Sequence, residues 1–123
     1  MNVLMVMIGG FFGAISRFLL SEWIHTGSGF SLATFLINLS GCFFLGWFLT
    51  FVGQRKKVRA EFTLLIGTGF TGAFTTFSAF SLETLELFEA GHLSMGIIYV
   101  LGSTVFGLTL TYAGYRLAKG EVK

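Results

Sequence analysis

Thirteen consecutive residues, 69–81, read Gly-Phe-Thr-Gly-Ala-Phe-Thr-Thr-Phe-Ser-Ala-Phe-Ser. They mix glycine, hydroxyls and phenyl rings inside a stretch that is otherwise apolar. A helix opened at membrane depth exposes backbone groups that lipid cannot satisfy. Such a break is tolerated only where it is buried in protein, lines a watery cavity or binds an ion. Two kinds of chemistry follow. Unwound carbonyls of Gly72 and Thr75 can coordinate a small hard cation such as sodium. Beyond the break, at about 100° per residue, Phe77, Phe80, Ser81 and Thr84 share one helix face, with Ser78 at its flank. Hydroxyl donors and positive ring edges suit an anion. The same stripe also fits an aromatic packing face whose serines bond back to their own helix.

Three further groups extend this constellation. Asn38 is the only amide side chain deep in an apolar run. An unpaired amide there is costly, so Asn38 must find partners, either an anion or the opened backbone. Tyr99, Ser103, Gly107 and Thr111 are each four apart and form a polar ladder, facing either a pathway or another helix. Glu83 is the nearest acid, about two turns past the break, with Glu86 and Glu89 continuing outward. No carboxylate lies at the centre of a span, where a transporter of cations or protons would need one. No enzyme site stands out: His25 and His92 fall in links with no acidic partner at a productive spacing. No metal-ligand cluster forms around Cys42, whose simplest reading is a small packing residue. The glycines lack the following Gly-Lys-Ser/Thr of a phosphate loop.

These groups must be positioned by membrane helices. Of 123 residues, 54% are hydrophobic and 11% charged, against roughly 25% charged in soluble domains; the mean hydropathy is +0.80. One membrane domain fills this length. Proline is absent, so helix breaks must come from glycine and hydroxyl residues. Four spans of roughly 20 residues fit: 3–24, 32–52, 62–88 with the break at 72–76, and 93–117. The first is expected to stay in place, because it lacks a basic leader and is longer than a signal-peptide core. Short links imply antiparallel neighbours. Of the eight basic residues, Arg55, Lys56, Lys57 and Arg59 lie in the second link and Arg116, Lys119 and Lys123 in the tail. This seven-to-none bias predicts cytoplasmic termini in a multi-pass plasma-membrane protein. Arg17 is the exception, inside the first span. No basic face for nucleic acid exists. Gly9 and Gly13, four apart, allow close helix approach within one chain or between subunits. Four helices are few to enclose a pathway, which points to assembly with a second copy or a relative.

The combination Gly9-Gly10-x-x-Gly13-Ala14-x-x-Arg17, Asn38-x-x-Gly41 and Gly69-Phe70-x-Gly72-x-x-Thr75-Thr76-Phe77-Ser78-x-Phe80 resembles the Fluc (CrcB) fluoride channel family, across all four spans in order. The resemblance implies an all-α membrane fold and a passive channel exporting cytoplasmic fluoride, which confers fluoride resistance. It implies an antiparallel dimer with two pores, each lined from both subunits. It also implies a structural sodium ion at the dimer centre, held by the carbonyls of Gly72 and Thr75. The family's pore phenylalanines match Phe77 and Phe80, and its pore asparagine matches Asn38. Its polar track matches Ser78, Ser81, Tyr99, Ser103 and Thr111, its acid after the break matches Glu83, and its vestibule arginine matches Arg17.

The strong charge bias sits awkwardly with a homodimer of inverted copies, since such a subunit must insert both ways. Some family members pair two homologous subunits of opposite bias, so the partner is either an identical copy or a paired homologue. Two other readings compete. A small multidrug-type antiporter also uses four-span inverted dimers, but needs a buried carboxylate in the first span, and Glu22 lies near that span's end. A non-conducting partner subunit of a heterodimeric channel would use Phe77, Phe80 and Asn38 for packing alone.

Overall fold

The structure, a computed structural model, describes residues 2–24 and 32–121. The first link with His25, and Lys123 of the tail, lie outside the described residues. The described chain is helical: α1 (Asn2–Trp23), α2 (Leu32–Gly53), α3 (Ala60–Thr63), a π-helical segment (Leu64–Phe70), α4 (Thr71–Phe74), α5 (Phe77–Glu89) and α6 (Leu93–Glu121). Three helices, α1, α2 and α6, are long and apolar enough to cross a membrane, and the chain is a multi-pass membrane protein. The α3–π–α4 run and α5 form a further segment, interrupted at Thr75 and Thr76. Helix α6 reaches four residues beyond the expected end at 117.

Pairwise contacts fix the topology. Along α1 and the π–α4 run they rise together: Val6 meets Gly69, Gly13 meets Phe70 and Arg17 meets Ala73. These two elements are therefore parallel. So are α2 and α6, where Cys42 meets Gly107, Gly46 meets Thr111 and Trp47 meets Gly114. Between α2 and the interrupted segment the order reverses, with Phe48 on Gly67, Asn38 on Thr76 and Thr34 on Glu83. Chain neighbours thus run antiparallel, yet the closest seams join alternate elements.

Glycine makes both seams possible. A Cβ at Gly9 or Gly13 would strike the carbonyl of Leu65 or Phe70, and one at Gly46 or Gly114 the carbonyl of Thr111 or Phe43. In lipid, helices associate through such close van der Waals approach rather than through hydrophobic exclusion. The Gly9-x-x-x-Gly13 pair therefore serves contacts within the chain.

The turn after α5 has a specific cause. His92 N–H donates to the Leu87 carbonyl (2.8 Å) and Gly91 N–H to Phe88 (3.1 Å), with Gly91 at φ 84°. These are the paired bonds of a Schellman cap, which favours glycine in the left-handed region. The Phe88 ring then packs against Gly96, where a Cβ would collide with it, folding α5 back on α6.

Little of the chain is enclosed. Among the described residues the buried apolar core is Ala33, Ile37, Phe48, Leu87, Tyr99 and Ala118, while large apolar side chains along α1, α5 and α6 remain exposed. Surface of this kind belongs against lipid or another subunit.

Candidate functional site

The interruption is built from three side chains. Thr75 (φ −80°, ψ 156°) and Thr76 (φ −145°, ψ 123°) are extended. The Asn38 amide meets the backbone of Thr76 twice: Nδ2 donates to its carbonyl (2.9 Å) and Oδ1 accepts from its N–H (2.8 Å). Extended at this point, the Thr76 N–H has no helical acceptor, and Asn38 supplies one; the Thr76 carbonyl, which already opens α5 as its N-cap, gains a second donor from Asn38. Of the two roles open to Asn38, the structure shows it holding the backbone, with one Nδ2 hydrogen beyond the bond to Thr76. The Thr76 hydroxyl caps α5 by accepting from Ala79 N–H (3.2 Å), the role threonine favours at a helix N-cap. Arg17 Nε donates to the Ala73 carbonyl (3.1 Å), placing a cation at the C-terminal end of α4, where the helix dipole favours it.

These substitutions free two carbonyls. In an unbroken helix Thr76 N–H would bond Gly72, and Ala79 N–H would bond Thr75. The first donor is instead on Asn38 and the second on the Thr76 hydroxyl. The sequence places the opening over 72–76. The structure narrows the extended backbone to 75–76 and keeps Gly72 inside α4, because the Thr75 N–H and hydroxyl both still bond the Thr71 carbonyl (3.0 and 2.9 Å). Gly72 contributes a released carbonyl, not unwound chain.

A groove of 580 Å³ opens beside the interruption. It brings together Asn38, Gly72, Thr75, Phe77, Phe80 and Ser103 of the expected residues, and no carboxyl side chain lines it. Phe77 is 80% exposed, so this subunit alone does not cover that ring. The Phe77 and Phe80 ring centroids are 5.9 Å apart. Ser103 Oγ is buried and, among the described residues, is the buried side-chain polar atom without a hydrogen-bond partner. Burying such an oxygen unpaired is unfavourable by about 1–3 kcal/mol.

The other expected residues lie elsewhere. Glu83 forms a brace: Thr34 donates to Oε1 (2.7 Å) and Tyr99 to Oε2 (2.8 Å), tying α2, α5 and α6. Tyr99 is 1% exposed, and its ring meets Phe80 at 5.0 Å, so brace and groove touch through that pair. Ser78 and Ser81 are exposed on α5 outside the groove lining, with Ser78 3.2 Å from the Thr76 hydroxyl. Thr111 bonds the Gly107 carbonyl (2.8 Å) within α6 and sits against Gly46, away from the groove. The ladder therefore divides, Ser103 at the groove, Tyr99 at the brace and Thr111 at a helix seam.

Three contributors are absent from the expected set: Thr76, clamped and capping as above, Thr34 and Thr71. Thr34 lies one turn before Asn38 on the same face of α2, a spacing that marks it. Thr71, 2% exposed, donates to the Ile66 carbonyl five residues back (3.0 Å), closing the π-helical turn. Seven residues of π-helix are rare, and such turns favour functional sites. Nothing in the sequence marks this one.

Over the described residues this is an all-helical membrane protein with an opened helix beside a groove of hydroxyls and phenyl rings that no acid lines. The chain belongs to the family described as CrcB-like protein, Camphor Resistance (CrcB), which it matches over residues 4–115. It is 50% identical over 117 residues to the fluoride-specific ion channel FluC of Oceanobacillus iheyensis, covering 95% of this chain and 91% of that protein. Two relatives from Bacillus cereus are named fluoride-specific ion channel FluC 2 and FluC 1. The first is 43% identical over 95% of this chain and 97% of its own length. The second is 44% identical over 98% and 89%.

Proposed function

We propose that this chain is a subunit of a fluoride-selective channel that passively exports cytoplasmic fluoride. The observation that carries the reading is the chemistry of the groove: an amide, hydroxyls and two phenylalanines beside an opened span, with no carboxyl group. Fluoride is small and strongly hydrated, so it enters only where donors replace its water. The unpartnered Ser103 hydroxyl, the remaining Asn38 N–H and the edges of Phe77 and Phe80 supply them. Close donors without strong binding let the ion leave again, while a narrow passage excludes larger chloride. An inside-negative potential drives an anion outward by about 2.3 kcal/mol per 100 mV. Fluoride that enters as the neutral acid and dissociates inside is then removed without ATP. The brace at Glu83 keeps Tyr99 and Phe80 in register beside this path, and Ser78, Ser81 and Thr111 would extend the track only through a second subunit or a rearrangement.

The pathway is completed by a second subunit, inverted relative to the first, giving two pores per dimer. The exposed Phe77 ring supports this, since one chain leaves half of the path open. The charge bias favours a partner of opposite bias, and Bacillus cereus carries two relatives, named FluC 1 and FluC 2. Sodium fits the released carbonyls. Among the described residues no cluster of His, Cys, Asp or Glu could hold a metal, whereas Gly72 and Thr75 offer two oxygens from one chain. Two are too few for a hard cation, so an equal pair from the partner would complete the shell. Bound there, sodium would supply fixed positive charge between subunits; this chain's part is to hold the two carbonyls open through Asn38 and Thr76.

The test is ion efflux from proteoliposomes. Loaded with fluoride or chloride, vesicles bearing the wild-type dimer should lose fluoride and retain chloride, and Phe80→Ile should abolish the fluoride loss. Equal loss of both ions, or undiminished flux through Phe80→Ile, would refute the assignment. Purified alone and with a co-expressed homologue, the chain also reveals which assembly conducts.

A further inference from the structure

The parallel pairing of α2 and α6 gathers the basic residues at one end of the molecule. Arg55 and its neighbours follow α2, and Arg116 and Lys119 close α6. The opposite end of α5 and α6 carries Glu86, Glu89 and His92 and, among the described residues, no lysine or arginine. Within the basic end, two cations differ from the rest because each lies over an aromatic ring. The Arg55 guanidinium carbon is 4.2 Å from the Phe51 ring centroid, and Phe51 stacks on Trp47 at 5.1 Å and 17°. Lys119 Nζ is 5.0 Å from the Tyr115 ring centroid.

The helix register brings these two stacks level. Gly46 faces Thr111. Continuing both parallel helices by about one turn sets Phe51 close to the level of Tyr115, and the cations over these rings, Arg55 just past the end of α2 and Lys119 in the last turns of α6, lie toward the same end. Trp47 lies six residues before the end of α2, about 9 Å at 1.5 Å per residue. That depth suits the boundary between headgroups and acyl chains, where amphipathic rings concentrate. A cation held over a ring is pre-oriented, and an arginine so placed keeps its N–H fork for a phosphate. Among the described residues the one ion pair at this end is Arg59 with Glu61, at 3.9 Å. No carboxylate among the described residues is paired with Arg55 or Lys119.

We propose that the α2–α6 end is a binding site for an anionic phospholipid of the phosphatidylglycerol type, its phosphodiester held by Arg55 and Lys119 and its upper acyl chain lying against the Trp47–Phe51 and Tyr115 rings. The argument for this occupant is charge complementarity at headgroup depth, with apolar rings directly below the charges. Zwitterionic lipid offers no net charge to balance these cations, and a soluble anion would leave the rings without an apolar partner. The site is independent of the ion pathway.

The chain has two tryptophans, so Trp23→Phe leaves Trp47 as a local probe. The full assembly in that background is reconstituted in phosphatidylcholine vesicles containing a minor share of either phosphatidylglycerol or phosphatidylcholine brominated near the top of the acyl chain. Brominated phosphatidylglycerol should quench Trp47 more strongly, corresponding to a local enrichment of roughly fivefold per engaged charge, and salt should weaken the difference. Arg55→Gln with Lys119→Gln should erase it. Lys56→Gln with Lys57→Gln removes two charges from the same membrane face but leaves both stacks, and should retain most of it. Equal quenching by the two lipids overturns the proposal. So does equal loss in the two double variants, which would mean diffuse attraction rather than a site.

Discussion

Replacing Asn38 with alanine tests how the interruption is held. The change deletes two hydrogen bonds at once and leaves the N–H of Thr76 without a protein partner, while its carbonyl keeps the first bond of α5. A buried backbone N–H left unsatisfied is unfavourable by about 1–3 kcal/mol, and the lost second bond of the carbonyl adds about 0.5–1.5 kcal/mol. Thr76 lines the groove, where water can replace part of the loss, and a value near the lower end, about 2 kcal/mol, is expected. Amide hydrogen exchange at Thr76 reads the opening directly. At about 1.4 kcal/mol per factor of ten, exchange should quicken roughly thirtyfold in Asn38→Ala. Asn38→Asp separates holding from conduction: the carboxylate still accepts the Thr76 N–H and should preserve its protection, while its charge repels an anion and should abolish fluoride flux. Unchanged Thr76 protection in Asn38→Ala would refute the assignment of Asn38 as the clamp on this residue.

Other outcomes follow from the packing. Gly13→Ala drives a Cβ into the Phe70 carbonyl and should destabilise the detergent-solubilised protein by at least about 1–3 kcal/mol in thermal melts, whereas Gly53→Ala, with open space around it, should be silent. Tyr99→Phe and Thr34→Val each remove one bond to Glu83 and should each cost about 1–2 kcal/mol. Because they share that acceptor, the double variant should depart from additivity by at least about 0.5 kcal/mol, read from the same melts. An additive result would mean that the brace is not a unit.

The helical class is legible because α1, α2 and α6 are long apolar runs without proline. The polar constellation is legible as residue types: an amide or a hydroxyl in an apolar run must be doing something. What each one does is not, because the partners are backbone groups. Asn38 bonds main chain of Thr76, and no side-chain pattern reports a released carbonyl at Gly72. The 3.6-residue period placed Tyr99, Ser103 and Thr111 on one slowly drifting stripe, but the glycine seam at Gly46 and Gly114 decides what that stripe meets along its length. The π-helical turn closed by Thr71 leaves no periodic signature, and it shifts every later residue of the segment relative to a regular helix. Thr34 stands one helical turn from Asn38, and its pairing with Glu83 depends on the antiparallel placement of α2 against α5, a tertiary fact.

The arrangement of the interruption also bears on how the chain is made. Thr76 finds its amide partner on α2, and the Ala73 carbonyl finds its guanidinium on α1, both synthesised earlier. If this interrupted segment were released alone into hydrocarbon, it would carry naked peptide dipoles there. The insertion machinery must therefore keep it sheltered until the two preceding helices can receive it, so this protein should enter the bilayer as a bundle rather than one helix at a time.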